Sequence, residues 1–405
     1  MSFHLNIYIV FLMSKLLSII IPTRNRQVYC VESIKSILMD IDHRCEIIVQ
    51  DNSSDNRLHQ MLHSLNNELI VYNYNSAPLS FIDNFEEALN ISTGHYFIIL
   101  GDDDSTTKDI LSIVEWMERE NIESVSSSFV VDYIWPNDKI EKYRTGYLTI
   151  PNYKGDVRKI NVDRKLTELI ENGFLAYQSF DLPRTYHGIV KRACMDKVKK
   201  TGGRYFGGLT PDIYSTVALS CIIKNHVVID YPFSIAGGCP ASATVNAQVG
   251  GHSGELKDAP HFNNRGEYDW EETIPRYYSV ETIWAETAIK ALKDMRYPNW
   301  QKKFDKYKLY VYSIYNNRKF ILSLSVRQTL LLHKLDKLYF LKLLNSLKNA
   351  SIKMLLRKKN ILQLSYLEFY EVVDLNVCKQ QLYKEIRRVL DINAKSKTNI
   401  AYLKE

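Results

Sequence analysis

The sequence predicts an α/β fold in which a mostly parallel sheet is covered on both faces. Apolar runs, each followed by a polar turn and a helix-spaced segment, recur four times before residue 121. The runs lack apolar/polar alternation, which suits strands buried on both sides between layers of helices. The chemistry-bearing residues all fall in the turns after these runs, the edge where open α/β sheets bind ligands.

Taken in order, "LLSIII" (16–21) is a strand broken by "PTRNR", and "VYCVESIKSILMD" (28–40) spaces its apolar residues for a helix. "EIIVQ", "DNSSD" and "NRLHQMLHSL" repeat the unit, as do "LIVYNY", "NSAPLS" and "FIDNFEEALNI", and then "HYFIIL", "GDDDST" and "KDILSIVEWMERE". Beyond these, "VSSSFVVDYIW" reads as a strand and 137–165 as a polar connection. Residues 186–225 hold a strand start, a basic turn, a Gly-rich loop and a helix from about Pro211. "HVVIDYPFSIAGG" (226–238) reads as another strand, 239–275 as a functional loop, and everything past 276 as helical to the end.

With 405 residues, 45% apolar and 24% charged, the composition is that of an ordinary globular protein. Six cysteines without C-x-x-C spacing signal neither a zinc knuckle nor a disulfide framework. The apolar N-terminus is interrupted by His4, Asn6, Ser14 and Lys15, too often for a bilayer span, and residues 1–13 read as an optional extension. The net charge of +6 is uneven: residues 301–360 carry fifteen Lys/Arg against Asp305 and Asp336, so the remainder is −7. Such a segment suits an anionic membrane surface, although Lys342 shares a helical face with Leu331, Leu335 and Leu338. Nothing accompanies it that would make a nucleic-acid module.

In "FIILGDDDST" (97–106) an apolar strand ends in Asp102, Asp103 and Asp104. Adjacent carboxylates repel, and burying them unpaired is costly, so a positive group is expected there. Hard oxygen ligands suit Mn2+ or Mg2+, which can carry a diphosphate and act on a leaving group. The bland alternative is a helix N-cap, since Asp and Ser are favoured there, but one Asp would satisfy it. "IIIPTRNR" has neither G-x-G-x-x-G nor a P-loop lysine, which argues against a dinucleotide-binding dehydrogenase or a P-loop NTPase.

"LLSIIIPTRNR", "EIIVQDNSSD", "FIDNFEEALNISTGHYFIILGDDD" and "GGLTPDIYS", in this order, resemble the successive motifs of the family 2 glycosyltransferases. The resemblance covers roughly 14–240 and implies the GT-A fold of nucleotide-diphospho-sugar transferases, with a catalytic domain at 14–240, an acceptor-side loop and helix at 241–300 and a basic helical C-terminal region at 301–405. It implies an inverting, metal-dependent transferase that moves a sugar to a glycan or lipid-linked glycan acceptor in bacterial polysaccharide synthesis. Such an enzyme would work in the cytoplasm, at the inner face of the plasma membrane.

The resemblance places Pro22, Thr23, Arg24, Asn25 and Asp51 on the nucleotide, with Asn84, Asp102 and Asp103 completing the donor site. The metal pair is Asp102 and Asp104 or Asp103 and Asp104, and Asp212 stands where the family has its general base. The family commonly has Arg before the asparagine of the third motif, where this chain has Asp83. His252, between glycines in "VGGHSGE", is a candidate further ligand, and His187 a weaker one; a lone His is more often a packed or surface side chain. Asp51 can equally start a turn with Asn52, and Asp212 after Pro211 is a good first-turn helix acid. A nucleotidyltransferase would offer a Gly-rich basic first loop, which is absent; a non-catalytic sugar-nucleotide binder is the other alternative.

Overall fold

The computed structural model describes residues 15–242, 253–316 and 366–395. Strands β1 (Leu17–Thr23), β2 (Cys45–Asp51), β3 (Ile70–Tyr74) and β4 (Tyr96–Ile99) come from the four recurring units. Eight strands follow: β5 (Ser105–Thr106), β6 (Ser124–Ser127), β7 (Val131–Ile134), β8 (Tyr147–Pro151), β9 (Val157–Ile160), β10 (Gly188–Lys191), β11 (His226–Ile229) and β12 (Ser234–Gly238).

The main sheet has the order β3-β2-β1-β4-β10-β6-β11-β9, and only β10 and β9 run against the rest. It is the mostly parallel α/β sheet expected. β1 and β2 are buried on both faces: Ile19 and Ile21 enter one core and Ile20 the other, as do Ile47 and Val49 against Ile48. The chain lays β2 and β3 on one side of β1 and then returns to place β4 on the other. The turns after β1 and β4 therefore flank a crevice, the usual ligand position in such sheets.

A second sheet has the order Tyr366–Tyr370, β8, β7, β12, β5. It corrects three sequence readings. "VSSSFVVDYIW" is two strands, β6 and β7, in different sheets; Ser127 Oγ donates to the Tyr231 carbonyl (2.9 Å) at the bend. The segment 226–238 is likewise divided, around Pro232, into β11 and β12. The supposed connection 137–165 contains β8 and β9.

The C-terminal part is not wholly helical either. Tyr366–Tyr370 pairs antiparallel with β8, and the helix Leu375–Lys395 puts Leu375, Cys378, Leu382 and Ile386 into the same core as β1 and the helix Gln27–Leu38. Trp300 and Leu309, on either side of the boundary expected at 300/301, share one core. His252 and most of the basic stretch 301–360 lie outside the described residues.

Candidate active site

Thr23 ends β1, and Arg26 immediately precedes the helix Gln27–Leu38. Both turn toward the aspartates after β4. Thr23 Oγ1 donates to Asp102 Oδ2 at 2.6 Å, Arg26 Nε donates to the same oxygen at 3.1 Å, and Arg26 Nη2 lies 2.7 Å from Asp102 Oδ1. Arg26 Nη1 reaches Asp103 Oδ2 at 3.4 Å, an oxygen that also accepts the Cys239 N–H at 2.8 Å. All three aspartates are buried. Burial pushes Asp102 and Asp103 above the usual carboxylate range, and Arg26 pulls against it.

Asp104 sits in a different environment. Its carboxylate accepts the Gly101 N–H (2.5 Å), the Tyr186 hydroxyl (2.8 Å) and the Gly237 N–H (2.7 Å), with His187 Nε2 3.1 Å away. Burial alone would raise it, but His187 and the hydrogen bonds hold it below the usual range. β12 approaches so closely that a Cβ on Gly237 would lie 1.7 Å from the Asp103 carbonyl oxygen, so only glycine fits there.

His187 links the aspartate turn to β12. It has a left-handed backbone (φ 51°), uncommon for a non-glycine residue, and its Nδ1 lies 3.0 Å from Ser234 Oγ on β12. Asp212 lies in the first turn of the helix Pro211–Ser220, which Ser215 Oγ ties to Thr185 Oγ1 at 2.9 Å. Burial pushes Asp212 up to about 6, with His187 pulling the other way. No described residue donates a hydrogen bond to its carboxylate, and its helix lacks a side-chain cap. The acid is therefore not tied down at its own helix terminus.

Asp132 on β7 completes this side. In register it pairs with Ala236, so it shares a sheet face with Ser234, whose hydroxyl holds His187. It is exposed by area, and partial desolvation pushes it up to about 6, with His187 opposing and Asp104 adding.

The remaining candidates lie in or just after β1 and β2 and on the helix Phe81–Asn90. Asn84 Nδ2 donates to the Thr23 carbonyl at 3.5 Å, and its Oδ1 is buried without a hydrogen-bond partner among the described residues. Pro22 is buried in β1, whereas Arg24 and Asn25 are exposed. Asn25, with φ 59°, takes the Ser54 N–H on its Oδ1 at 2.9 Å. Asp51 behaves as a turn acid: it accepts the Ser53 N–H (2.8 Å) and the Tyr72 hydroxyl (2.9 Å). Asp83 pairs with Arg204 at 2.6 Å, so a cation from the Gly-rich loop stands where the third motif lacks one.

The sequence reading missed Arg26, Asp132 and Arg204. An acid inside the apolar run "VVDYI" is a signal that could have found Asp132; nothing local points to the other two.

The aspartate turn does not fit the divalent ion expected of it. Asp104 has its carboxylate filled by protein donors, and Arg26 occupies Asp102 and part of Asp103. Among the described residues no group of three or more His, Cys, Asp or Glu is placed to hold a metal.

Residues 18–181 match the model of the family described as "Glycosyl transferase family 2". This stretch is a family 2 glycosyltransferase domain. It contains β1 to β9 and the aspartate turn. The abequosyltransferase RfbV of Salmonella typhimurium is 34% identical over 107 residues, which are 25% of this chain and 32% of RfbV. The putative colanic acid biosynthesis glycosyl transferase WcaA of Escherichia coli K12 is 32% identical over 100 residues, 24% of this chain and 36% of WcaA. The chain thus matches about a third of the length of these curated relatives. A looser likeness links it to S. aureus TarS 1–349 in complex with UDP-GlcNAc: TM-score 0.46, 14% identity, 82% of this chain and 80% of that one.

Proposed function

We propose that the protein is an inverting glycosyltransferase that moves a sugar from a nucleotide-diphosphate donor to an acceptor hydroxyl in bacterial surface-polysaccharide synthesis. The observation that carries this reading is Asp212: a carboxylate raised to about 6, without a hydrogen-bond donor among the described residues, beside His187 at the aspartate edge of a family 2 domain. A base of this kind is ionised at neutral pH and still basic enough to take a proton.

In the proposed reaction the acceptor oxygen attacks C1 of the sugar from the Asp212 side as Asp212 takes its proton. The C1–oxygen bond to the diphosphate breaks, and the nucleoside diphosphate leaves with the bonding electron pair. Thr23, Asn84 and the exposed Arg24 and Asn25 stand along the nucleotide side. The name of WcaA, a putative glycosyl transferase of colanic acid biosynthesis, supports a glycan acceptor, and an O-antigen or capsule glycan is part of this proposal. No described helix is long and apolar enough to cross a membrane. Cytoplasmic work on a lipid-linked acceptor at the inner membrane face is part of the same proposal.

The test is a panel of nucleotide sugars incubated with lipid-linked and free glycan acceptors. Release of nucleoside diphosphate with glycan extension is expected. Release of pyrophosphate would point to nucleotidyl transfer, and tight donor binding without turnover to a non-catalytic binder.

A further inference from the structure

We propose that Arg26 is the resident cation of the aspartate turn and holds the place that a divalent ion would otherwise take. The guanidinium makes a two-point contact with Asp102 and a third with Asp103, a use of its planar fork that a lysine cannot reproduce. Asp102 is fully buried and Asp103 nearly so, while a quarter of the Arg26 side chain is exposed. The acids are thus sealed behind the arginine. An ion entering from the cleft would compete with a charge already in place and leave Arg26 without its partners, which for a buried pair is strongly unfavourable.

Asp104 takes no part, since its oxygens stay with Gly101, Tyr186 and Gly237. This ion-binding behaviour does not rest on the proposed transferase reading.

The experiment is a Mn2+ titration of the full chain without nucleotide, following the EPR signal of the free ion. Wild type should show no binding at the turn at sub-millimolar Mn2+, and Arg26→Met should bind roughly tenfold or more tightly. Adding Asp103→Asn to Arg26→Met should abolish the gain, which assigns it to this turn. Should Arg26→Met fail to fold, Arg26→Lys keeps the charge but loses the two-point contact, and a smaller gain is expected. Stoichiometric micromolar binding by nucleotide-free wild type, or variants no tighter than wild type, would overturn the proposal. No donor or acceptor enters the titration, so its failure is distinct from failure of the transferase reading.

Discussion

Lys379 and Asp40, 339 residues apart, form a buried ion pair at 2.5 Å. Lys379 also donates to the Ser36 carbonyl at 2.7 Å, while Asp40 accepts from Thr106 Oγ1 at 2.9 Å and Tyr383 OH at 3.3 Å. Thr106 is two residues past Asp104, and the neighbouring Ser33 donates to the Asp104 carbonyl. The C-terminal helix therefore clamps the helix Gln27–Leu38 against the aspartate turn.

Burial pushes Asp40 up and Lys379 down, each partner opposing the other's shift. Breaking such a pair from one side leaves an uncompensated charge. Lys379→Met should cost about 3–5 kcal/mol, and Asp40→Asn added to it should recover part of that loss. Urea unfolding measures both. A midpoint unchanged by Lys379→Met would show that the C-terminal helix contributes nothing through this pair.

If Asp212 is the base, Asp212→Asn should lower the transfer rate by roughly two to four orders of magnitude while leaving the donor KM nearly unchanged. The wild-type rate should rise with pH through about 6, as Asp212 loses its proton, and the variant should lack that limb. Stability should move the other way. The folded pKa lies above the ordinary carboxylate value of 3.8, so the contribution is full below 3.8 and lost as pH rises through about 6. Asp212→Asn is then expected to be more stable at pH 7, by about 1–3 kcal/mol. Loss of donor binding in this variant would remove Asp212 from the role of base.

Glu286 tests the same linkage away from the chemistry. It lies on the helix Val280–Asp294 and accepts the Tyr268 hydroxyl and the Glu271 N–H, both at 3.0 Å. Burial pushes it up to about 7, so its stabilising protonated form disappears between pH 4.5 and about 7. A glutamine keeps one acceptor for Glu271 and can donate to the Tyr268 oxygen. Glu286→Gln should match wild type in thermal melts near pH 4 and exceed it at pH 8. Parallel curves over that range would contradict this.

The four βα units were legible because every strand is a continuous apolar run and every following helix has the matching period. The convergence of Thr23 and the aspartates followed from strand topology, whereas Asn84 came only from the resemblance. The second sheet was not legible: β5, β7, β8 and β12 are short, and their partners include Tyr366–Tyr370, more than two hundred residues from β8. No local pattern announces such pairings. The sequence reading assigned the aspartates a divalent ion and did not foresee Arg26 against Asp102 and Asp103, because that contact depends on how the chain turns after β1. His187 was undervalued because its left-handed backbone, which aims it at Asp104, leaves no mark in the sequence.

Asp132 carries the last prediction. It interrupts an apolar strand whose neighbours Val131 and Tyr133 are in the core, so an acid there gains nothing from packing. It takes no hydrogen bond from a described residue, and it shares a face with Ser234, on the His187 side of the site. An acid so placed is positioned to accept from a hydroxyl of the incoming acceptor, opposite the nucleotide. A hydrogen bond to a charged group contributes about 1.5–3 kcal/mol, so Asp132→Asn should reduce acceptor kcat/KM by roughly ten- to a hundredfold. Donor affinity and the melting temperature should stay close to wild type. An effect confined to the melting temperature would make Asp132 a sheet residue, and an equal loss with every acceptor and with donor hydrolysis in water would place it in the chemistry rather than in acceptor recognition.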